Sequence, residues 1–261
     1  MQRSSNVVAV LLAISVGACA KDDAIVDVKG SCAEAFKAQM CTYAKMKGKT
    51  VVEVGAVIPM ASIENAPAGA PMLWPPVADA VANMPDSSTK QSGLTQLTFY
   101  WEGDGHPPGA FMTPHFDFHF LTVSPSELAS MDCKDVSKPS ALPAGFALPD
   151  IPLPPEMVKM TGVPSLIGLC VPGMGMHSIL ASEIERKDAF EGSMVIGYYK
   201  GKAIFIEPMI AKATLMKKAS FDLPVPEVPG LTGAHPTKFH AEWDAAKNSY
   251  TFMFTGFTPA T

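Results

Sequence analysis

The sequence predicts a mainly β protein, an antiparallel barrel or sandwich built from hairpins with a few short helices. Residues 114–120 alternate polar and aromatic side chains with a period of two, which is typical of a half-buried strand. Two pairs of apolar, β-branched or aromatic runs have hairpin spacing, namely 193–199 with 202–207 and 239–243 with 250–257. Strands that follow one another in hairpins, without long helices between them, argue against a parallel α/β sheet.

The N-terminus predicts export. Arg3 is the only charge before the apolar run Val7–Val16, which is too short to span a bilayer, so residues 1–18 are expected to be a signal peptide. The residues that end at Cys19 resemble a bacterial lipobox, which would make Cys19 the lipid-bearing first residue of a membrane-anchored envelope lipoprotein. Cleavage after Ala20 by the ordinary signal peptidase is the alternative, and it would give a soluble periplasmic or secreted protein.

The segment after the signal is expected to be a tether with a short helical region, residues 19–48. Residues 31–46 are rich in Ala, Glu, Lys and Met, which favour helix, and Ser31 could cap that helix. Residues 49–261 are expected to form a single β-rich domain. Its first strand is predicted over residues 49–58.

The next part of the domain predicts a long irregular segment followed by a hairpin. Residues 59–93 are rich in Pro, Ala and Gly, with one helical turn expected near 77–84. Residues 94–101 alternate as a strand does, and residues 110–123 return as the strand that carries the histidines. A turn rich in Gly and Pro joins these two strands.

The middle of the chain predicts a capped helix and then extended loops. Ser124 followed by Glu127 forms a capping box for a helix that ends near Met131. Seven prolines make residues 137–164 mostly extended loop. Residues 165–171 are apolar and predict a strand.

Cysteine usage agrees with export. The chain has five cysteines, and lipidation of Cys19 would leave four. Cys32 and Cys41 could close a short loop and Cys133 and Cys170 a longer one, although three pairings are open and free thiols are the alternative. An oxidising compartment favours disulfides.

Composition excludes a nucleic-acid partner. The net charge is −5, charged residues make up only 17% of the chain, and no basic cluster is present. Phosphate binding requires concentrated Lys and Arg. The sequence also lacks phosphate-binding, dinucleotide-binding, nucleophile-elbow and zinc-protease motifs.

The alternating strand predicts a metal site. His115, Asp117 and His119 would lie on one face of it, opposite three phenylalanines. His177 follows a Gly-rich turn, and Glu207 ends a strand of a neighbouring hairpin. Imidazole and carboxylate ligands suit a divalent transition metal, with zinc favoured and iron, manganese or copper as alternatives.

Several roles within this site are left open. Asp117 could bind the metal or orient a ligand histidine through a hydrogen bond. His106, in a Gly/Pro loop beside the strand, is a candidate general acid or base. Met112, Met174 and Met176 lie close to the histidines in sequence and are the basis for the copper alternative.

The remaining histidines are weaker candidates. His235 and His240 lie near the C-terminus. His240 and Glu242 would share one face of a strand, which is more often simply a solvated face.

Four segments carry a resemblance to a known family: residues 105–109, 114–120, 172–177 and 205–209. They resemble a small bacterial domain family of unknown activity, typified by a ring-forming Thermus protein under sigma-E control, over residues 50–257. The similarity to cupins is weaker. The family resemblance implies a mainly β fold and a homo-oligomer, and it supplies no reaction.

Three functional hypotheses follow. The first is an exported, lipid-anchored protein with one mononuclear site, in which His115, His119 and His177 are ligands and Glu207 or Asp117 completes the set. The second is a non-catalytic, stress-related or structural oligomeric envelope protein. The third is a metal-free β domain that binds an unknown small molecule. A metal with an open position would indicate an enzyme, and a closed set of four ligands a structural site.

Overall fold

Antiparallel strands are the main secondary structure of the described residues, as the sequence predicts. The computed structural model describes residues 24–69, 73–231 and 233–258. The expected signal peptide and Cys19 lie outside these ranges.

Fifteen strands are present in the described part of the chain. They are β1 (Ile25–Ala35), β2 (Ala38–Lys47), β3 (Thr50–Pro59), β4 (Ala80–Asn83), β5 (Gln96–Glu102), β6 (His115–Leu121), β7 (Phe146–Ala147), β8 (Ile151–Pro152), β9 (Ser165–Leu166), β10 (Met176–Leu180), β11 (Gly192–Tyr199), β12 (Lys202–Ala211), β13 (Phe221–Pro224), β14 (Lys238–Asp244) and β15 (Ser249–Thr255).

Six short α-helices accompany them in the same ranges. They are α1 (Met60–Glu64), α2 (Asp86–Ser92), α3 (Pro125–Ala129), α4 (Pro155–Thr161), α5 (Ala181–Ile184) and α6 (Lys212–Leu215), with single 3₁₀ turns at Gly109–Phe111 and Ile167–Leu169. None of these helices has the length and apolar character that crossing a membrane requires.

The strands form two large open sheets and one small one. The six-stranded sheet has the order β1-β2-β3-β15-β14-β13, the seven-stranded sheet the order β4-β5-β6-β12-β11-β10-β7, and β8 pairs with β9. Within the described residues neither large sheet closes on itself, so the barrel alternative is wrong and the arrangement is sandwich-like.

The main core lies between the two large sheets. Phe118 and Phe120 of β6 project from the seven-stranded sheet and meet Phe252 and Phe254 of β15, with ring centroids 4.7 Å and 5.0 Å apart. Phe116 is buried in the same core. The predicted alternation of β6 is therefore confirmed: its aromatic face packs against the opposite sheet.

A second, smaller core covers the other side of the seven-stranded sheet, which we call the outer face. The covering segment, residues 151–169, contributes Ile151 and Leu153 to a buried cluster that also contains Val195 and Phe205 of the sheet. Polar side chains on the outer face are thereby enclosed between the sheet and this segment.

Three hairpins and one helix cap are confirmed. β5 pairs with β6, β11 with β12, and β14 with β15, all antiparallel. The capping box is present at α3: the Ser124 side chain accepts from the Glu127 backbone N–H, and the Glu127 carboxylate accepts from the Ser124 backbone N–H.

The helix predicted over residues 31–46 is wrong, as is the tether from Ile25 onward. These residues form β1 and β2, which pair with each other and extend the six-stranded sheet through β3. Alternate residues of β2 are buried, so burial on the sheet outweighs the weak helix propensity of Ala, Lys and Met.

Two further local predictions need correction. The helical turn expected near residues 77–84 is wrong, because β4 lies there and pairs with β5. The strand expected over residues 165–171 is limited to β9, and a 3₁₀ turn follows it. Residues 137–164 are mainly irregular, as predicted, but include α4.

Both disulfides join the cysteine pairs that the sequence suggests. Cys32 bonds Cys41 directly across β1 and β2, and Cys133 bonds Cys170, 37 residues further along the chain. A loop of that length corresponds to about 3–4 kcal/mol of stabilisation on the chain-entropy account. The two disulfides point to an oxidising compartment.

The sandwich packing makes a quantitative prediction for Phe118. Its ring is fully buried between Phe99 and Phe252. The substitution Phe118→Ala should lower the free energy of unfolding by roughly 3–5 kcal/mol in urea denaturation. Met112→Ala is the control, because Met112 is 55% exposed and its removal should change stability by less than about 0.5 kcal/mol. Equal losses in the two variants would contradict the assigned core.

Candidate metal centre

The polar face of β6 is buried on the outer face of the sheet, where Phe111 and Phe190 pack against His115. His115, Asp117 and His119 lie on the outer face, with exposed fractions of 0%, 5% and 1%. Because the alternating phenylalanines of β6 pack in the main core on the other side of the sheet, the three residues share one face of the strand, as predicted. Charged or polar groups that are this deeply enclosed need partners to offset their lost hydration.

Strand register brings further polar residues to this face. Glu102 of β5 lies opposite His115, and the pairing of β12 with β6 places Glu207 opposite His119. His177 of β10 lies opposite Gly197 of β11, the strand beside β12. The predicted residues from β6, β10 and β12 therefore meet on one surface.

His106, His115 and Asp117 form the first donor group. The two Nε2 atoms of His106 and His115 are 3.2 Å apart. The Nε2 of His115 is 3.3 Å from Asp117 Oδ1, and the Nε2 of His106 is 3.9 Å from Asp117 Oδ2. One donor atom from each residue lies within 4.8 Å of the other two.

Backbone contacts fix the tautomers in this group. The Nδ1 of His115 lies 2.6 Å from the Thr113 carbonyl oxygen, and the Nδ1 of His106 lies 2.9 Å from that of Pro107. A carbonyl can only accept, so both Nδ1 atoms carry the proton. In the neutral rings the two Nε2 atoms are both acceptors, and their lone pairs face each other without a shared hydrogen.

The loop that carries His106 is shaped by a glycine. Gly105 has a φ of +69°, and a side chain there would come within 2.3 Å of the Phe111 carbonyl oxygen. That oxygen accepts a hydrogen bond from the His106 backbone N–H at 3.0 Å. The close approach of the two backbones holds the His106 ring against His115. Burial lowers the pKa of His106 and keeps the ring neutral.

His119, His177 and Glu207 form the second donor group. The Nε2 of His119 is 3.4 Å from Glu207 Oε1, and the three donor atoms again lie within 4.8 Å of one another. The Nδ1 of His177 donates to the Leu169 carbonyl oxygen at 3.0 Å, which leaves its Nε2 as an acceptor. Glu207 Oε2 and His119 Nε2 are buried without a hydrogen-bond partner.

Phe205 supports the histidines of the second group. Its ring stacks on His119 with a centroid distance of 4.4 Å and an interplanar angle of 7°, and it lies 5.2 Å from His177. The ring lies over Gly197, where a Cβ atom would be 2.1 Å from Phe205 Cε1. The glycine therefore leaves the space in which the supporting ring lies.

Burial favours the neutral form of each residue in the two donor groups. It lowers the pKa of His119 and His177 to about 3 and that of His115 well below its ordinary value. Burial also raises the pKa of Asp117 and Glu207 well above their ordinary values, and the nearby Glu207 carboxylate raises that of Asp117 further. Neutral imidazoles are the form that binds metals, and a cation would favour the ionised carboxylates.

The geometry suits a divalent cation. Two ligand atoms on tetrahedral zinc, each at about 2.0–2.1 Å from the metal, are about 3.3–3.4 Å apart. In the first group His106 Nε2 and His115 Nε2 are 3.2 Å apart and His115 Nε2 is 3.3 Å from Asp117 Oδ1, and in the second group His119 Nε2 and Glu207 Oε1 are 3.4 Å apart. These pairs therefore have the spacing of two ligands on one metal, and the backbone hydrogen bonds through Nδ1 leave the Nε2 atoms free.

The structure divides the predicted ligand set. His115 and Asp117 are in one group, and His119, His177 and Glu207 are in the other. His106, predicted only as a proton-transfer residue, joins the first group as a third donor. The histidine spacing on one strand indicated the site, but strand order in the sheet decides which residues are neighbours.

Sequence reasoning missed Glu102, which it placed in a turn. Glu102 is the last residue of β5, and burial together with the nearby Asp79 carboxylate raises its pKa to about 7. Extending the alternation of Thr98 and Tyr100 by one more step would have placed Glu102 on the site face.

A cavity adjoins both donor groups. It is lined by His106 and Asp117 of the first group, by His177 of the second and by Glu102, and it opens to solvent. The covering segment supplies Leu166 and Leu169, among other residues, to its wall. The groups are therefore accessible to a small molecule.

The other candidate residues are dispersed. Met174 lines the cavity, Met176 is buried in the main core, and Met112 is exposed. His235 Nε2 bonds the Pro226 carbonyl oxygen, and His240 pairs with Asp222 at the surface. Neither histidine belongs to a donor group, as the sequence indicated.

Comparisons of this chain with protein-family models, with curated proteins and with solved structures found no match. The resemblance to the small bacterial family therefore stays a prediction.

Gly197 offers a test of how the second group is supported. Gly197→Ala should displace the Phe205 ring, lower stability by about 1–3 kcal/mol and weaken metal binding about tenfold in a chelator competition assay. Gly109→Ala is the matched control near the site, since a side chain there would meet only the Arg186 carbonyl oxygen at 3.4 Å. Unchanged metal affinity in Gly197→Ala would show that Phe205 does not position the histidines.

Proposed function

We propose that this protein is an exported, metal-binding envelope protein that holds a divalent transition metal at His106, His115 and Asp117. One observation carries the proposal: the buried imidazole of His115 and the partly exposed imidazole of His106 face each other at 3.2 Å through nitrogens that have no proton to share. A cation between them turns this repulsion into coordination. The Asp117 carboxylate supplies the negative charge that the cation needs.

Zinc is the preferred metal. Two imidazole nitrogens and one carboxylate oxygen are a set found in catalytic zinc sites, whose fourth position is open to water or substrate. Structural zinc sites have four protein ligands, whereas each donor group here offers three. The donor count therefore favours a site that binds or converts a small molecule over the purely structural role. Iron, manganese and copper accept the same ligands and are the alternatives.

Export and anchoring are supported separately. The two disulfides suit an oxidising compartment. The N-terminal apolar run and Cys19 support a signal peptide and a lipid anchor to the bacterial envelope.

The proposed metal site predicts that removing a ligand histidine removes bound metal. Protein purified without added metal should contain a transition metal by elemental analysis, and His115→Ala should lose the metal of the first group. His240→Ala is the matched control, because His240 pairs with Asp222 outside the site. Circular dichroism should show that both variants are folded. Wild-type metal content in His115→Ala, or a wild type that binds no metal, would refute the proposal.

The lipid anchor predicts a change of location. Cys19→Ser should convert a membrane-bound protein into one recovered in the soluble periplasmic fraction, because one acyl-bearing residue is removed and the folded part is unchanged. Sedimentation of the envelope fraction followed by immunoblotting measures this. Continued membrane association of Cys19→Ser would exclude lipidation as the anchor.

A further inference from the structure

We infer that His119, His177 and Glu207 bind a second cation beside the first, and that the resulting two-metal centre receives small uncharged molecules from the shared cavity. The inference rests on the proposed function, since a two-metal centre requires the first metal as well as the second.

The second group has its own structural basis. His177 Nε2 is left as an acceptor because Nδ1 donates to the Leu169 carbonyl oxygen. Glu207 Oε1 and His119 Nε2 are 3.4 Å apart, yet His119 Nε2 has no hydrogen-bond partner, and neither has Glu207 Oε2. All three side chains are less than 10% exposed. Buried polar atoms without partners are rare in folded proteins and are satisfied here by a cation.

The two groups are close neighbours. Asp117 and His119 are separated by one residue on β6, so their Cα atoms are about 7 Å apart. Both groups reach the same cavity, the first through His106 and Asp117 and the second through His177. A molecule in the cavity can therefore contact both metals.

The wall of the cavity offers no cationic side chain that could bind a phosphate or carboxylate group. Its other described lining residues include Trp74, Met157, Leu169 and Met174, and no Lys or Arg is among them. Proteins that bind phosphate or carboxylate groups use Arg and Lys for this purpose. The apolar wall instead suits a small uncharged molecule.

The charges at the centre agree with this. Two divalent cations carry four positive charges, and the carboxylates of Asp117, Glu207 and Glu102 offset three of them when all are ionised. One positive charge remains, which a single small anion such as hydroxide balances. A phosphate dianion would leave an excess of buried negative charge.

The first experiment counts metals in the full chain after zinc loading and gel filtration. Wild type should hold two equivalents, and His115→Ala and Glu207→Gln should each hold one. Glu207→Gln removes the charge at nearly constant volume, so it tests the second group without opening a cavity. His240→Ala should hold two.

The outcomes separate the two proposals. One equivalent in wild type that either variant removes would mean that both groups serve one metal, which overturns the second site and leaves the proposed function intact. No metal in wild type would overturn both. Two equivalents that Glu207→Gln leaves unchanged would place the second metal elsewhere and overturn the inference.

The second experiment tests the class of ligand with cobalt(II) in place of zinc, because its visible d–d absorption responds to a new ligand. Imidazole, which is mostly uncharged above about pH 7.5 and coordinates without losing a proton, should shift the spectrum of the loaded protein at concentrations at least tenfold below those at which inorganic phosphate does. A response to phosphate at equal or lower concentration would overturn the ligand class. No response to either probe would show that the metals have no open position.

Discussion

The burial of ionisable side chains on the outer face of the seven-stranded sheet is the constraint on which the rest of the structure depends. Four imidazoles and three carboxyl groups are gathered where neither Lys nor Arg, among the described lining residues, offsets the carboxylates. Burial favours the neutral forms of these groups, and an ionised carboxylate here without a partner would cost several kcal/mol. A bound divalent cation would offset that cost and add its binding free energy to the stability of the fold. Folding and metal binding are therefore expected to be linked.

The two faces of β6 have different roles: one packs in the core, and the other carries the donor residues. Phe116, Phe118 and Phe120 pack into the core between the sheets, and this packing fixes the position of β6 relative to the opposite sheet. Their fixed position in turn holds His115 and His119 on the opposite face, because side chains alternate strictly along a strand. Central strands in a paired sheet move little, so ligands placed on them are well preorganised.

The features that the sequence predicts correctly are mostly those with a local pattern along the chain. The period-two alternation of β6, the hairpin turns and the capping box at Ser124 are all local signals, and all are present in the structure. The helix predicted over residues 31–46 failed because tertiary pairing in a sheet outweighs a propensity worth a few tenths of a kcal/mol per residue. The division of the ligands into two groups depends on the order β5-β6-β12-β11-β10. That order is set by long-range packing, which spacing along the chain does not encode.

Loop residues orient the histidine rings of the two donor groups. Thr113, Pro107 and Leu169 are not on strands, yet their carbonyl oxygens accept the Nδ1 protons of His115, His106 and His177. These hydrogen bonds select the tautomer that leaves Nε2 available to a metal and increase the basicity of that nitrogen. Leu169 precedes the cystine residue Cys170, which is covalently tied to Cys133. The carbonyl that orients His177 is thereby next to a disulfide, a bond that an oxidising compartment favours, so the disulfide contributes to the site as well as to the stability of the chain.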